Sequence, residues 1–216
     1  ITAKSLKSLT FFWYINTTMD TTDFIYNINL SYDKDRLLDD MARVTFHPFN
    51  DRGPDQRGKS NIPKGHWFDN PSTWLQGHVP VHVTPVPGRT TMPAIINQIK
   101  GHFPEVSQLQ TQISELLKCK DVRARYYRQE KNTSVPMHKD MHTLCAVNIL
   151  LSDNNGPIEF EGLGEIHYDC AMLNLQKGHA VPPFPEERLL LKFSIFDLPY
   201  KDAITNYLIN TTGDLL

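Results

Sequence analysis

The stretch Ser134–Pro157, SVPMHKDMHTLCAVNILLSDNNGP, sets His138, Asp140 and His142 on alternate positions just ahead of an apolar run. Alternate residues of an extended chain project to the same side. Two imidazoles and a carboxylate on one side of a segment entering a buried strand are either solvated decoration or the grip of a metal site. Further along, LNLQKGHAVPPFPEERLLLKFSIF (Leu173–Phe196) sets His179 directly after a strand and Arg188 at the start of the last strongly apolar one.

The texture of the chain places these residues. After Cys119 it reads as a series of short strands: Val122–Arg128, Ala146–Leu151, Ile158–Phe160, Glu165–Tyr168, Ala171–Leu175 and Leu189–Phe196. DNNG (Asp153–Gly156) and EGLG (Glu161–Gly164) supply turn chemistry between them. Many short strands with Gly-containing turns imply a sandwich or barrel. Upstream, FIYNINL (Phe24–Leu30) reads as a strand, and SYDKDRLLDDMAR as a short helix with Ser31 or Asp33 as N-cap. Residues 47–88 are crowded with Pro, Gly, Asn and Asp, and read as a long loop region with one or two short strands. Two helices follow. Met92, Ile95, Ile96 and Ile99 mark the first, which Gly101 stops; Pro104 opens the second, striped by Val106, Leu109, Ile113, Leu116 and Leu117. The expected architecture is mainly β with α. It is a sandwich or barrel of jelly-roll kind, with an N-terminal helical layer packed on one sheet. The chain reads as a single domain, with residues 1–118 supporting the core, 119–199 forming the catalytic jelly roll and 200–216 a C-terminal extension.

Composition narrows the classes of partner. A chain of 216 residues, 40% hydrophobic and 21% charged, has the make-up of a globular protein with a sizeable core. A formal charge of −2 provides no general pull toward nucleic acid or an anionic membrane, and no apolar run reaches membrane-spanning length. KSLKSLTFFWYI (Lys4–Ile15) resembles the start of a signal peptide, but its apolar run is short and no small-residue cleavage site follows. It reads as an N-terminal strand, helix or leader, with Met19 as an alternative natural start. Cys119, Cys145 and Cys170 are an odd set without C-x-x-C spacing, which favours reduced thiols and a cytoplasmic protein. Sequons at Asn16, Asn132 and Asn210 would suit a secreted protein instead.

His138, Asp140 and His179 together match the two-imidazole, one-carboxylate facial triad of non-haem Fe(II) oxygenases, which leaves three positions of the metal open. Those positions suit a bidentate 2-oxo acid and then dioxygen. A guanidinium deeper in the barrel, Arg188, suits the far carboxylate of that acid. Other readings stand beside this one. His142 can replace Asp140, face the substrate or face water. Lys192 shares strand parity with Arg188 and is the second choice of anchor. Arg188 also follows Glu186 and Glu187, so it can close a surface ion pair worth little. Asn148, inside the buried strand, bonds either the oxo acid or a core neighbour. Trp67, Phe68 and Trp74 line a substrate mouth or pack the long loop. His78 and His82 lack a carboxylate partner for a second metal.

RYYRQEKNTSVPMHKD (Arg125–Asp140), GPIEF (Gly156–Phe160), LNLQKGHAV (Leu173–Val181) and ERLLLKFSIF (Glu187–Phe196) resemble the iron(II)/2-oxoglutarate-dependent dioxygenases, in their prolyl-hydroxylase and aspartyl/asparaginyl-hydroxylase-like branches. That family pattern is H-x-D, a distant His, and an Arg or Lys about ten residues later; here Arg188 falls nine after His179. The resemblance covers about Val122 to Phe196 and implies a double-stranded β-helix (jelly roll, cupin-like). It implies Fe(II) held by His138, Asp140 and His179, and 2-oxoglutarate chelated to it with its C5 carboxylate on Arg188. Tyr127 best matches a tyrosine that touches the oxo acid, while Tyr126 points to the opposite face. The implied reaction hydroxylates a C–H bond of an amino-acid, peptide or other small substrate, with succinate and carbon dioxide as co-products. Two rivals remain. One is a cupin-like metal enzyme that needs no oxo acid, and hence no Arg188. The other is a non-catalytic jelly-roll binding module.

Overall fold

In the computed structural model, residues 21–44, 46–48, 74–78, 103–140 and 142–212 are described. In chain order they form β1 (Ile25–Asn27), α1 (Lys34–Ala42), β2 (Phe46–Pro48), β3 (Trp74–His78), α2 (Pro104–Leu117), β4 (Val122–Gln129), β5 (Val135–His138) and β6 (Cys145–Leu150). There follow β7 (Ile158–Phe160), β8 (Gly164–Ile166), β9 (Cys170–Leu173), β10 (His179–Val181), β11 (Arg188–Ile195) and α3 (Tyr200–Thr212). A large sheet in the order β1-β9-β6-β11-β4-β3-β2 faces a small one in the order β5-β10-β7-β8. The pairings within both sheets are antiparallel, and the architecture is a jelly roll with a helical layer.

The large sheet is buried on both faces, and residue parity sorts its two cores. On one face Val122, Ala124 and Tyr126 of β4, Val147 and Ile149 of β6, and Leu191, Phe193 and Ile195 of β11 meet the helices. On the other, Tyr127, Ala146, Leu150, Ala171, Leu173 and Leu190 meet Ile158 and Phe160 of the small sheet. A strand covered on both sides reads as a continuous apolar run, which explains CAVNIL in β6. Asn148 is the amide that breaks this run.

The helices are built as their residues dictate. Asp33, and not Ser31, caps α1, its side chain accepting from the Arg36 amide at 3.2 Å. Pro104 opens α2, where it loses no helical hydrogen bond, and Val106, Leu109, Ile113 and Leu117 bury one stripe. Each such side chain contributes roughly 1.5–3 kcal/mol of burial. Lys118 ends α2 in the left-handed region at φ 58°.

The chain departs from its sequence reading in several places. The C-terminal extension is the helix α3, and Tyr200, Ala203 and Tyr207 pack into the same cluster as α1 and α2. The helical layer therefore draws on both ends of the chain. Asn210 Nδ2 donates to the carbonyl of Leu116, which ties the Asn210 sequon to α2. β5 and β10 are strands too short to announce themselves, and Tyr168 falls outside β8. The expected helix over Met92–Ile99, the leader around Lys4–Ile15, Met19, Asn16, Trp67, Phe68 and His82 all lie outside the described residues.

Candidate metal centre

His138 ends β5 and His179 opens β10, where the two residues face each other as register partners. Their rings lie 4.3 Å apart between centroids. Asp140 follows two residues after His138, and its backbone is pinned from two directions. Its amide donates to the Leu175 carbonyl at 3.1 Å, and Gln176 Nε2 donates to its carbonyl at 2.9 Å. One ligand atom from each of His138, Asp140 and His179 falls within 4.8 Å of the others, a group able to hold a metal ion.

The tautomers suit that use. His138 Nδ1 lies 2.8 Å from the Pro136 carbonyl and His179 Nδ1 lies 3.0 Å from the Lys177 carbonyl. A carbonyl only accepts, so both Nδ1 atoms carry protons and each ring turns its Nε2 side to the cluster, that of His138 standing 3.6 Å from Asp140 Oδ1. Burial and the neighbouring His138 lower the His179 pKa to about 4, although the Lys177 carbonyl and Asp140 pull the other way. His179 is thus held neutral, as a ligand must be. Burial disfavours the ionised form of Asp140. Lys192, His138 and His179 outweigh it and keep its carboxyl well below the usual carboxylate range.

Lys192 lies 3.2 Å from Asp140 Oδ2. Burial works against its ammonium, but Asp140 and Tyr127 more than compensate and raise its pKa. Arg188, four residues earlier on the same strand and face, is 3% exposed. Its Nη2 donates to the Pro157 carbonyl at 2.7 Å, while its Nε is buried with no partner among the described residues. Among the described residues Arg188 makes no surface ion pair: Glu187 takes Arg128 at 2.6 Å and Glu186 accepts from Asn154 at 2.7 Å. Asn148 Nδ2 donates to the Tyr168 hydroxyl at 3.0 Å, and its Oδ1 too is buried without a partner among the described residues. Tyr127 is buried on the same inner wall, its ring centroid 6.0 Å from Lys192 Nζ. Tyr126 faces the helices and donates its hydroxyl to the Leu37 carbonyl.

The space between the sheets therefore brings together His138 and His179 of the small sheet, Asp140 just after β5, and Lys192, Asn148, Tyr127 and Arg188 on the inner face of the large sheet. His142 is exposed and stands outside the metal cluster. The side chains of Trp74 and His78, in β3, lie outside the described ones. Three features escaped the sequence. Arg125 sits opposite Lys192 in the β4–β11 register, Tyr168 bridges to Asn148, and Gly156 seats the Arg188 guanidinium. Gly156 was visible only as the end of a turn motif, since nothing in DNNG announces a cation packed over its Cα.

No protein-family model and no curated protein matches the chain. Solved structures do. A prolyl hydroxylase from Trichoplax adhaerens, in complex with a hypoxia inducible factor oxygen degradation domain peptide fragment, aligns at a TM-score of 0.52 and 11% identity, over 84% of this chain and 85% of that one. HygX from Streptomyces hygroscopicus, with nickel and 2-oxoglutarate bound, aligns at 0.46 and 10% identity, over 80% of this chain and 82% of that one. A prolyl-4-hydroxylase from Pseudomonas putida aligns at 0.41 and 14% identity, over 81% and 91%. The likeness to the Trichoplax enzyme is one of fold, the double-stranded β-helix that the sequence led one to expect.

Proposed function

We propose that the protein is a non-haem Fe(II)- and 2-oxoglutarate-dependent oxygenase that hydroxylates a C–H bond of an amino-acid, peptide or other small substrate. The observation that carries this reading is the buried Nε of Arg188, without a partner among the described residues, on the face of the large sheet that looks toward a His138–Asp140–His179 cluster whose Nδ1 protons are held by backbone carbonyls. A buried guanidinium donor without an acceptor is costly, and a carboxylate ligand would satisfy it.

In this reading His138, Asp140 and His179 hold the metal, and Arg188 receives the C5 carboxylate of the oxo acid. Of the Asn148 amide only Nδ2, which donates to Tyr168, can serve the oxo acid, since Oδ1 accepts, and Tyr127 lines the chamber between the two ends. Bound Fe(II), with 2-oxoglutarate and dioxygen, supplies the oxidising chemistry, coupling decarboxylation of the oxo acid to succinate with hydroxylation of the substrate. The protein's own work is to orient the oxo acid along β11 and to keep the chamber walled by Leu190, Phe160 and Leu173. A cytoplasmic location is part of the proposal, supported by three free thiols. Among the described residues, no helix is long and apolar enough to cross a membrane.

The test is an anaerobic titration of metal-free protein with Fe(II) and then 2-oxoglutarate, following the visible charge-transfer band of the chelate. The band should appear in the wild type, vanish in His179→Ala and need far more oxo acid in Arg188→Ala. Iron uptake without a band would replace this reading with the cupin-like one, and no iron uptake would leave a non-catalytic module.

A further inference from the structure

The two oxygens of the Asp140 carboxylate face different partners. Oδ1 lies 3.6 Å from His138 Nε2, whereas Oδ2 lies 3.2 Å from Lys192 Nζ. Backbone contacts to Leu175 and Gln176 fix where Asp140 stands. The side chain of Lys192 is only 16% exposed and comes from the middle of β11, whose ladders to β4 and β6 hold its Cα between Arg125 and Asn148. The ammonium is therefore built into the wall.

A carboxylate can offer a metal one oxygen or two. If both bind, they fill a coordination position that a chelating oxo acid needs. We infer that Lys192 is a positioning residue that retains Asp140 Oδ2, so that Asp140 binds the metal through Oδ1 alone and three positions stay open. This rests on the functional reading above, in which Asp140 is the carboxylate ligand. It also has a cost that makes it testable. An ammonium beside a divalent cation repels it and draws charge from its ligand. Lys192 thus weakens metal binding while protecting oxo-acid binding. A residue that merely held the site together would strengthen both.

The experiment uses Co(II), whose absorption reports coordination number, in the full chain carrying Lys192→Met, Lys192→Gln or Lys192→Arg. For Lys192→Met and Lys192→Gln the expected result is Co(II) binding about 3- to 10-fold tighter, with a spectrum shifted toward higher coordination. Binding of 2-oxoglutarate to the cobalt-loaded protein should fall at least 10-fold, and Lys192→Arg should restore wild-type values in both respects. Parallel losses of cobalt and oxo-acid affinity would overturn the inference, as would an unchanged cobalt spectrum. A wild type that takes cobalt but no oxo acid would sink the functional reading. The cobalt affinities and spectra of the variants would then still decide the role of Lys192.

Discussion

Substituting Gly156 by alanine probes the Arg188 anchor from a residue that touches no metal ligand. A Cβ at position 156 would lie 2.5 Å from Arg188 Nη2, and 2.7 and 2.9 Å from Phe184 Cγ and Cβ. The backbone there is not left-handed, so the whole effect comes from the clash. Phe184 sits on the partly exposed segment between β10 and β11; its ring can turn outward, whereas its Cβ moves only with a backbone whose carbonyl accepts from the Asn132 amide at 2.6 Å. The guanidinium is enclosed and must leave its bond to Pro157. Overpacking costs about 1–3 kcal/mol and loss of a charge-assisted bond about 1.5–3 kcal/mol, partly overlapping. If Arg188 holds the far carboxylate of the oxo acid, a displaced guanidinium should forfeit about 1.5–3 kcal/mol of binding, which is about 10- to 100-fold in affinity. The assay is calorimetric titration of 2-oxoglutarate into the cobalt-loaded Gly156→Ala protein, with cobalt affinity and urea unfolding measured alongside. Weakened oxo-acid binding, cobalt affinity within about twofold of wild type and a stability loss of about 1–3 kcal/mol are expected. Oxo-acid affinity equal to wild type would refute the assignment of the anchor to Arg188.

Further predictions concern stability. His179 is held neutral with a folded pKa of about 4, below the 6.5 of an unperturbed histidine, so the unfolded chain binds more protons between these values. The metal-free protein should keep this stability above pH 6.5 and lose up to about 3 kcal/mol as the pH falls to 4; chemical denaturation across that range should show the slope, and His179→Gln should flatten it. Adding Ni(II) at about 100 times its dissociation constant should stabilise the wild type by about 2.7 kcal/mol, read as a rise in melting temperature that His179→Ala abolishes. Lys118→Gly, at φ 58° after α2, should gain about 0.5–1 kcal/mol in urea unfolding, because only a side chain makes that conformation costly. Asp33→Ala should lose about 1 kcal/mol by removing the cap of α1.

The sequence by itself carried the residues of the candidate centre, because their pattern is short-range. H-x-D places His138 and Asp140 on one side of an extended chain, and strand parity sets Arg188 and Lys192 on the inner face of β11. The longer strands and α2 were equally legible, since hydrophobic period is a local property. What local pattern could not supply was distance between residues far apart in the chain. β5 and β10 have four and three residues and owe their strand form to pairing with each other. Lys192 reaches Asp140 across 52 positions, so its part as that residue's partner, alongside Arg188 as the deeper cation, emerged only when the sheets closed. The role of Gly156 was likewise set by Arg188 and Phe184 arriving from a later part of the chain. The helix α3 looked like an extension because its burial depends on a face supplied by α2 and the large sheet. Ligand types and spacing are written in neighbours along the chain, whereas which charge meets which is decided by packing.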